Sequence, residues 1–112
     1  MNIVEREVGG VSVLDLEGKL TLGDGAPEFR KVVDALIASG RVRAVFGLRN
    51  VTFVDSSGLG ELVRAHTAMT SRGGGIRLLQ PPERTVTLLK ITKLSSVLPS
   101  FDAEDAAVAS FA

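Results

Sequence analysis

The densest group of reactive side chains is Asp55-Ser56-Ser57-Gly58, which directly follows the β-branched and aromatic run 51–54. A helical pattern begins at once after it, so the sequence predicts two hydroxyls and a carboxylate at a strand-to-helix turn. The first N–H groups of a helix have no partner inside the helix, and such side chains can cap them. A hydroxyl at this place can also be presented to a kinase. Both roles are open at this level of the argument.

The composition of this turn exceeds what capping needs. One cap takes one residue, and here three polar cap-forming residues stand in series. Gly58 and Gly60 also place two poor helix formers in the first turn, each costing about 1 kcal/mol relative to alanine. Glycine is tolerated where another backbone must approach closely. The turn is therefore expected to be accessible as well as capped.

Catalytic interpretations of the serines fail on spacing. A nucleophile elbow has glycine two residues before and two residues after the serine, but Val54 precedes Ser56 at that distance. The single histidine, His66, follows Ser57 by nine residues, which on a helix is half a turn off face and about 13.5 Å away. We therefore expect no catalytic residues and no enzymatic activity.

Cofactor and metal motifs are missing too. Gly58-Leu59-Gly60 opens like a dinucleotide fingerprint, but Val63 stands where the third glycine is required. With no cysteine and one histidine, the chain cannot assemble a thiolate or multi-histidine zinc site. A carboxylate site assembled by folding is the less favoured alternative. We expect no cofactor and no metal, and we interpret His66 as a packed side chain at the core edge.

Length and charge narrow the remaining functions. A chain of 112 residues predicts one domain. Thirteen basic and thirteen acidic residues balance, which argues against the basic surface that nucleic-acid binding requires. Arg41, Arg43 and Arg49 are interpreted as a solvated edge, with a phosphate-binding surface as the less favoured alternative. No apolar run resembles a signal peptide or a membrane span, so we expect a soluble, cytoplasmic protein without a membrane partner.

The hydrophobic pattern predicts about five strands and about four helices. Alternation of the two types indicates an α/β fold with a mixed, mostly parallel sheet that is opened by an antiparallel hairpin at Gly9-Gly10. Gly18 is expected at a bulge, and Asp24 and Asp102 are expected to cap helices. The predicted strands are 3–8, 11–17 with its extension 19–22, 42–48, 51–54 after a turn at Asn50, 76–79 and a short strand ending at 101. The predicted helices run from 24 or 26 to 39, over 57–71, over a stretch that Pro81-Pro82 opens and that carries residues 86–91, and over 103–110.

The segment Phe53–Gly60, between an apolar strand and an amphipathic helix, resembles the STAS domain. More narrowly, it is similar to the bacterial anti-sigma factor antagonists. The hairpin segment Leu16–Leu20 and the late leucine-rich helix extend the resemblance over nearly the whole chain, which implies a single STAS domain over residues 1–112. Two positions depart from the pattern: Thr21 and Gly47 stand where many relatives carry an acidic residue.

The resemblance implies a partner switch in transcription regulation. Ser56 would be the residue that an anti-sigma factor, itself a serine kinase, phosphorylates. The unmodified protein would bind that kinase and free the sigma factor; phosphorylation would end the binding, and a serine phosphatase would restore it. Leu59, if exposed, would add apolar contact. The partner-binding residues implied are Asp55, Ser56, Ser57, Gly58, Leu59 and Gly60 in the turn, and Thr21, Gly23 and Asp24 in the loop before the first helix.

Two alternatives stay open beside the sigma-factor switch. The same domain could serve as a scaffold in a signalling complex with no sigma factor downstream, where the serine would still be the phosphorylated residue. It could also be a nucleotide-binding STAS module, although no Gly-Lys-Ser or Gly-Lys-Thr phosphate loop occurs in the chain.

Overall fold

The computed structural model describes residues 1–112 and consists of a five-stranded mixed sheet with four helices. The strands lie in the order β1-β2-β3-β4-β5, with β1 and β2 antiparallel and every other pair parallel. This confirms the predicted fold class. The elements are β1 Asn2–Val8, β2 Val11–Leu20, α1 Ala26–Ala38, β3 Arg43–Val54, α2 Ser56–Thr70, β4 Gly75–Leu79, α3 Glu83–Ile91, β5 Ser100–Phe101 and α4 Glu104–Ala109.

The two faces of the sheet are covered unequally. Helices α1, α2 and α3 pack on one face over a cluster of 19 buried residues, in which the rings of Phe29 and Phe46 meet edge to face at 4.9 Å. The other face carries a cluster of five buried residues under the six-residue helix α4. The apolar stripe predicted for α1 is confirmed, because Phe29, Val33 and Leu36 are buried in the larger cluster.

The short helix α4 is held to the sheet by an arginine from β4. The Arg77 guanidinium stacks on the Phe111 ring at 4.0 Å, and its Nε donates to Ser110 Oγ at 2.7 Å. Burial lowers the pKa of Arg77. These contacts fasten the last residues of the chain to the sheet face that the other three helices leave open.

The prediction of two strands separated by a turn at Asn50 is wrong, because β3 runs unbroken through this position. Bulges in its pairing with β2 allow the strand to continue through its polar residues. Against β2, Asp15 pairs with Gly47 and Glu17 pairs with Asn50, so β3 contributes one extra residue between the two pairs. A bulge bends a strand and re-aims side chains without ending it.

A second irregularity in the same pairing lies where Gly18 was expected to mark a bulge. Gly18 pairs with Val51 and Lys19 with Phe53, which again leaves one extra residue on β3. Gly18 itself has a φ of 112°, a conformation that suits glycine. The expectation of a bulge at Gly18 is confirmed, and the extra residue belongs to the facing strand.

The two aspartate caps predicted for α1 and α4 are wrong. Gly25 occupies the N-cap of α1 and makes no side-chain bond, while the Asp24 carboxylate points toward the N-terminal amine at 3.5 Å. A Cβ on Gly25 would lie 1.9 Å from the Lys19 carbonyl oxygen, so the tight approach of β2 selects glycine there. In α4 the N-cap is Ala103, one residue beyond Asp102.

Candidate functional site

Asp55 stands at the junction of β3 and α2 and joins two distant parts of the chain. As the N-cap of α2, it accepts a hydrogen bond on Oδ1 from the Gly58 N–H at 2.8 Å. Its other oxygen, Oδ2, accepts from the Leu22 N–H at 3.0 Å, 33 residues earlier in the sequence. One carboxylate therefore caps the helix and also fixes the loop between β2 and α1.

These backbone donors determine the charge state of the Asp55 carboxylate. The hydrogen bond from Leu22, followed by that from Gly58, lowers the pKa of Asp55 below its usual value, against a smaller opposing effect of desolvation. Hydrogen bonds to the ionised form of an acid favour that form. Asp55 is thus a fixed negative charge whose oxygens are both engaged.

The loop held by Asp55 is a compact turn. The Thr21 N–H donates to the Asp24 carbonyl at 2.7 Å, and Thr21 Oγ1 donates to the same oxygen at 3.0 Å. Gly23 and Asp24 are exposed at its tip. Between them and Thr21, the side chain of Leu22 is 72% exposed. The turn thus presents a large apolar side chain to solvent directly beside the start of α2.

Ser56 is exposed at the first position of α2. Ser57 is half-buried and faces a groove between α1 and α2. The positive end of the helix macrodipole and the unpaired N–H groups of the first turn favour negative charge at this place. A phosphate on Ser56 is therefore compatible with the fold of the chain itself.

The groove between the two helix starts, here called the α1–α2 groove, has a volume of about 390 Å³. Arg30 and Glu61 approach each other across it at 3.6 Å, and Arg64 joins Glu61 to Asp34 of α1, with an Arg64–Asp34 distance of 2.6 Å. The groove thus combines the apolar side chains of Leu22 and Ala26 with the charged pair of Arg30 and Glu61. Its lining residues are Leu22, Ala26, Pro27, Arg30, Ser57, Gly60 and Glu61.

The two glycines at the start of α2 lie in different surroundings. A Cβ on Gly58 would lie 1.9 Å from the Leu20 carbonyl oxygen, so the end of β2 demands glycine at this position. A Cβ on Gly60 would meet no atom within 4 Å, and Gly60 lies exposed in the α1–α2 groove. Nothing inside the chain requires glycine at position 60, although it weakens the helix.

The expectation that Leu59 would add apolar contact to a partner is wrong. Its side chain is only 7% exposed and belongs to the larger core cluster, so it cannot offer apolar contact to a partner. The reason is the helical phase, which turns Leu59, Leu62 and Met69 together onto the sheet. Gly58 is likewise buried. The exposed apolar side chain at this site is Leu22.

Sequence reasoning missed Leu22, Arg30 and Glu61. The signal for Leu22 was an isolated leucine in a Thr-Leu-Gly-Asp loop, where an apolar residue has no core to join. Arg30 and Glu61 belong to different helices, and no local pattern pairs them. His66 lies half-buried on α2 with a buried Nδ1 that finds no hydrogen-bond partner, and no three acidic or histidine side chains converge to form a metal site.

The chain belongs to the STAS domain family, whose model matches residues 2–107. No curated protein matches the chain in sequence. The helices are all too short or too polar to cross a bilayer.

Solved structures share the fold at low sequence identity. TM1081 from Thermotoga maritima has a TM-score of 0.90 at 23% identity, covering 97% of this chain and 93% of its own. The anti-sigma factor antagonist SpoIIAA of Bacillus in its unphosphorylated form has a TM-score of 0.75 at 18% identity, covering 97% of this chain and 96% of its own. Its phosphorylated form has a TM-score of 0.74 at 20% identity, covering 94% of this chain and 96% of its own. A sulfate transporter family protein from Wolinella succinogenes has a TM-score of 0.77 at 23% identity, covering 92% of this chain and 85% of its own.

Asp55→Asn should destabilise the protein in a pH-dependent way. An acid whose pKa is lowered on folding contributes stability that is complete above its unfolded pKa, about 3.9, and is lost as pH falls through the folded value. The difference in urea-unfolding free energy between wild type and Asp55→Asn should therefore be constant near neutral pH and shrink below about pH 4. Exchange of the Leu22 amide should accelerate in the variant. A difference that grows on acidification would contradict this account of Asp55.

Gly58→Ala and Gly60→Ala form a matched pair on one helix turn. Gly60→Ala should raise the unfolding free energy by about 0.5–1 kcal/mol, because alanine is the better helix former and has free space there. Gly58→Ala should lower it by more than that gain, because its methyl group collides with the Leu20 carbonyl. Chemical denaturation measures both. Equal effects of the two substitutions would show that the collision is relieved at little cost.

Proposed function

We propose that this protein is an anti-sigma factor antagonist that works as a partner switch and not as an enzyme, with residues 1–112 forming one STAS domain. The observation that carries the proposal is the exposed Ser56 at the first position of α2, beside the α1–α2 groove. In the unmodified state the protein binds an anti-sigma factor that is also a serine kinase. Phosphorylation of Ser56 ends this binding, and a serine phosphatase reverses the modification.

The unmodified surface is suited to docking. Leu22 supplies an exposed apolar side chain, Gly60 leaves room for a partner's backbone or side chain, and Arg30 and Glu61 supply charge at the groove wall. Interfaces commonly have an apolar centre in a polar rim. We assign Ser57, Thr21, Gly23 and Asp24 to the rim of this surface. Gly58 and Leu59 support it from within, because both are buried.

Phosphorylation supplies an adequate repulsion. A phosphoserine carries about −1.5 to −2 charges at neutral pH. Two like charges 4 Å apart cost about 4 kcal/mol at an effective dielectric of 20, which corresponds to roughly a thousandfold in affinity. Shifting a two-state equilibrium from 99:1 to 1:99 takes about 5.5 kcal/mol. Against one negative charge on the partner, a phosphate on Ser56 therefore provides most of the required change.

The fold should persist through the modification. The helix N-terminus favours the added charge, and SpoIIAA resembles this chain to the same degree in its phosphorylated and unphosphorylated forms, with TM-scores of 0.74 and 0.75. That similarity supports a switch that acts on the surface offered to a partner and leaves the sheet and helices in place.

A scaffold role without a sigma factor is the second candidate. It is favoured by the sulfate transporter family protein among the structures of the same fold, which shows that the fold also occurs outside anti-sigma antagonists. Pull-down with the unmodified protein separates the candidates. Capture of a serine kinase that also binds a sigma factor supports the switch, and capture of a sensor complex that contains no sigma factor supports the scaffold.

Incubation with the cognate kinase and ATP should phosphorylate Ser56. Mass spectrometry should place one phosphate on Ser56 in the wild type and in Ser57→Ala, and none in Ser56→Ala. Affinity of the phosphorylated protein for the kinase should fall by about a thousandfold from the repulsion alone. Modification confined to Ser57, or unchanged affinity after stoichiometric phosphorylation, would refute the switch.

Leu22→Ser should weaken binding to the anti-sigma factor by about 1–2 kcal/mol, or roughly 5- to 30-fold, as expected for an apolar anchor residue. The matched control is Ile91→Ser, since Ile91 is 74% exposed and lies at the end of α3. Both variants should keep wild-type stability because neither side chain is buried. Calorimetric titration measures the affinities, and an equal effect of the two substitutions would remove Leu22 from the interface.

A further inference from the structure

A second concave site lies on the α4 face of the sheet, beside the end of β4. This α4-side cavity has a volume of about 330 Å³, at the small end of the range for ligand pockets. None of its lining residues belongs to the α1–α2 groove. They are Arg6, Asp15, Leu16, Gly47, Arg49, Asn50, Leu79, Gln80 and Glu104.

The first bulge of β3 creates one wall of this cavity. In a regular strand Asn50 would follow Leu48 onto the apolar face, because side chains alternate. The extra residue between the pairs of Gly47 and Asn50 instead leaves both Arg49 and Asn50 exposed on the cavity side, while Leu48 stays buried. Gly47 keeps the cavity open, since a Cβ there would lie 3.1 Å from Asp15 Oδ1.

The charges in the cavity are separated into two parts. Arg6 is saturated by two carboxylates: its Nε donates to Asp15 at 2.8 Å, its Nη1 donates to Glu104 at 2.9 Å, and its Nη2 contacts both. This ion cluster holds the pKa of Glu104 below its usual range. With two carboxylates and one guanidinium, the cluster keeps one excess negative charge. Arg49, by contrast, has no carboxylate within ion-pair distance.

Gln80 closes the cavity at the end of β4 in an unusual backbone conformation. Its φ is +50°, a left-handed value that only one other non-glycine residue adopts here, and such residues concentrate at functional sites. Its Nε2 donates to the Asp102 carbonyl at 3.0 Å, which orients the amide and leaves the side-chain oxygen free to accept.

We propose that the α4-side cavity binds a small zwitterion of the α-amino-acid class, with its carboxylate on Arg49 and Asn50 and its ammonium group toward Asp15 and Glu104. A guanidinium binds a carboxylate through two parallel hydrogen bonds, and Arg49 is free to do so. A simple anion would meet the excess negative charge of the Arg6 cluster, and a simple cation would meet Arg49. A zwitterion satisfies both ends, and Gln80 supplies a further acceptor for the ammonium group.

The test is a titration of the full chain, unphosphorylated, with each of the twenty standard amino acids at millimolar concentration, followed by amide chemical shifts. At least one amino acid should shift the amides of Gly47, Asn50 and Gln80. Arg49→Gln should weaken that binding at least tenfold, and Asn50→Ala should weaken it as well. Arg43→Gln is the control, because Arg43 lies exposed on the same strand outside the cavity and should bind as the wild type does.

Three outcomes would overturn the proposal. The first is that no amino acid shifts these amides. The second is that Arg49→Gln binds as tightly as the wild type. The third is that inorganic phosphate, acetate or ethylamine binds as tightly as the best amino acid, since the cavity would then select a single charge. Because Ser56 takes no part in the titration, failure here leaves the phosphorylation switch untouched.

Discussion

The Asp55 carboxylate is the constraint on which the proposed docking surface depends. It caps α2 through Gly58 and holds the loop before α1 through Leu22, so two segments 33 residues apart become one rigid surface. Without the bond to Leu22, the hydrogen bond from the Asp55 N–H to the Leu20 carbonyl at 3.3 Å would still join α2 to the end of β2, but the exposed Leu22 would lose its fixed place beside the start of α2. Both oxygens face backbone donors, so the native charge next to the serine is already compensated. The Asp55 carboxylate therefore does not mimic a phosphate on Ser56.

The sheet separates two kinds of surface. Three helices cover one face, and the starts of α1 and α2 frame the groove beside Ser56. A single short helix, fastened by Arg77 and by the Arg6 ion cluster, covers the other face incompletely and leaves a charged cavity. The bulges in β3 affect both faces of the sheet. They allow the strand to bury Leu48 and Val51 on one face while Arg49 and Asn50 remain exposed on the other.

Local patterns predicted most of the fold, and distant contacts explain what they missed. The spacing of Phe29, Val33 and Leu36 specifies α1 by itself, since helical periodicity is a local property. The continuity of β3 was not predictable in this way, because a bulge is defined by pairing with β2. The caps of α1 and α4 depend on where the preceding loop delivers the chain. The Ser56 turn was found from its composition, but the Asp55–Leu22 bond and the Arg30–Glu61 contact exist only after the elements pack.

The empty space above Gly60 has a consequence for cells that carry several proteins of this fold. No atom of the chain fills that space, so under the proposed docking a partner would enter it, and the size of the residue at position 60 would then set which partners fit. Paralogues could be insulated from one another by a single methyl group. A larger residue at position 60, combined with a smaller facing residue on the proposed kinase, would define a pair that binds each other and not the wild-type proteins.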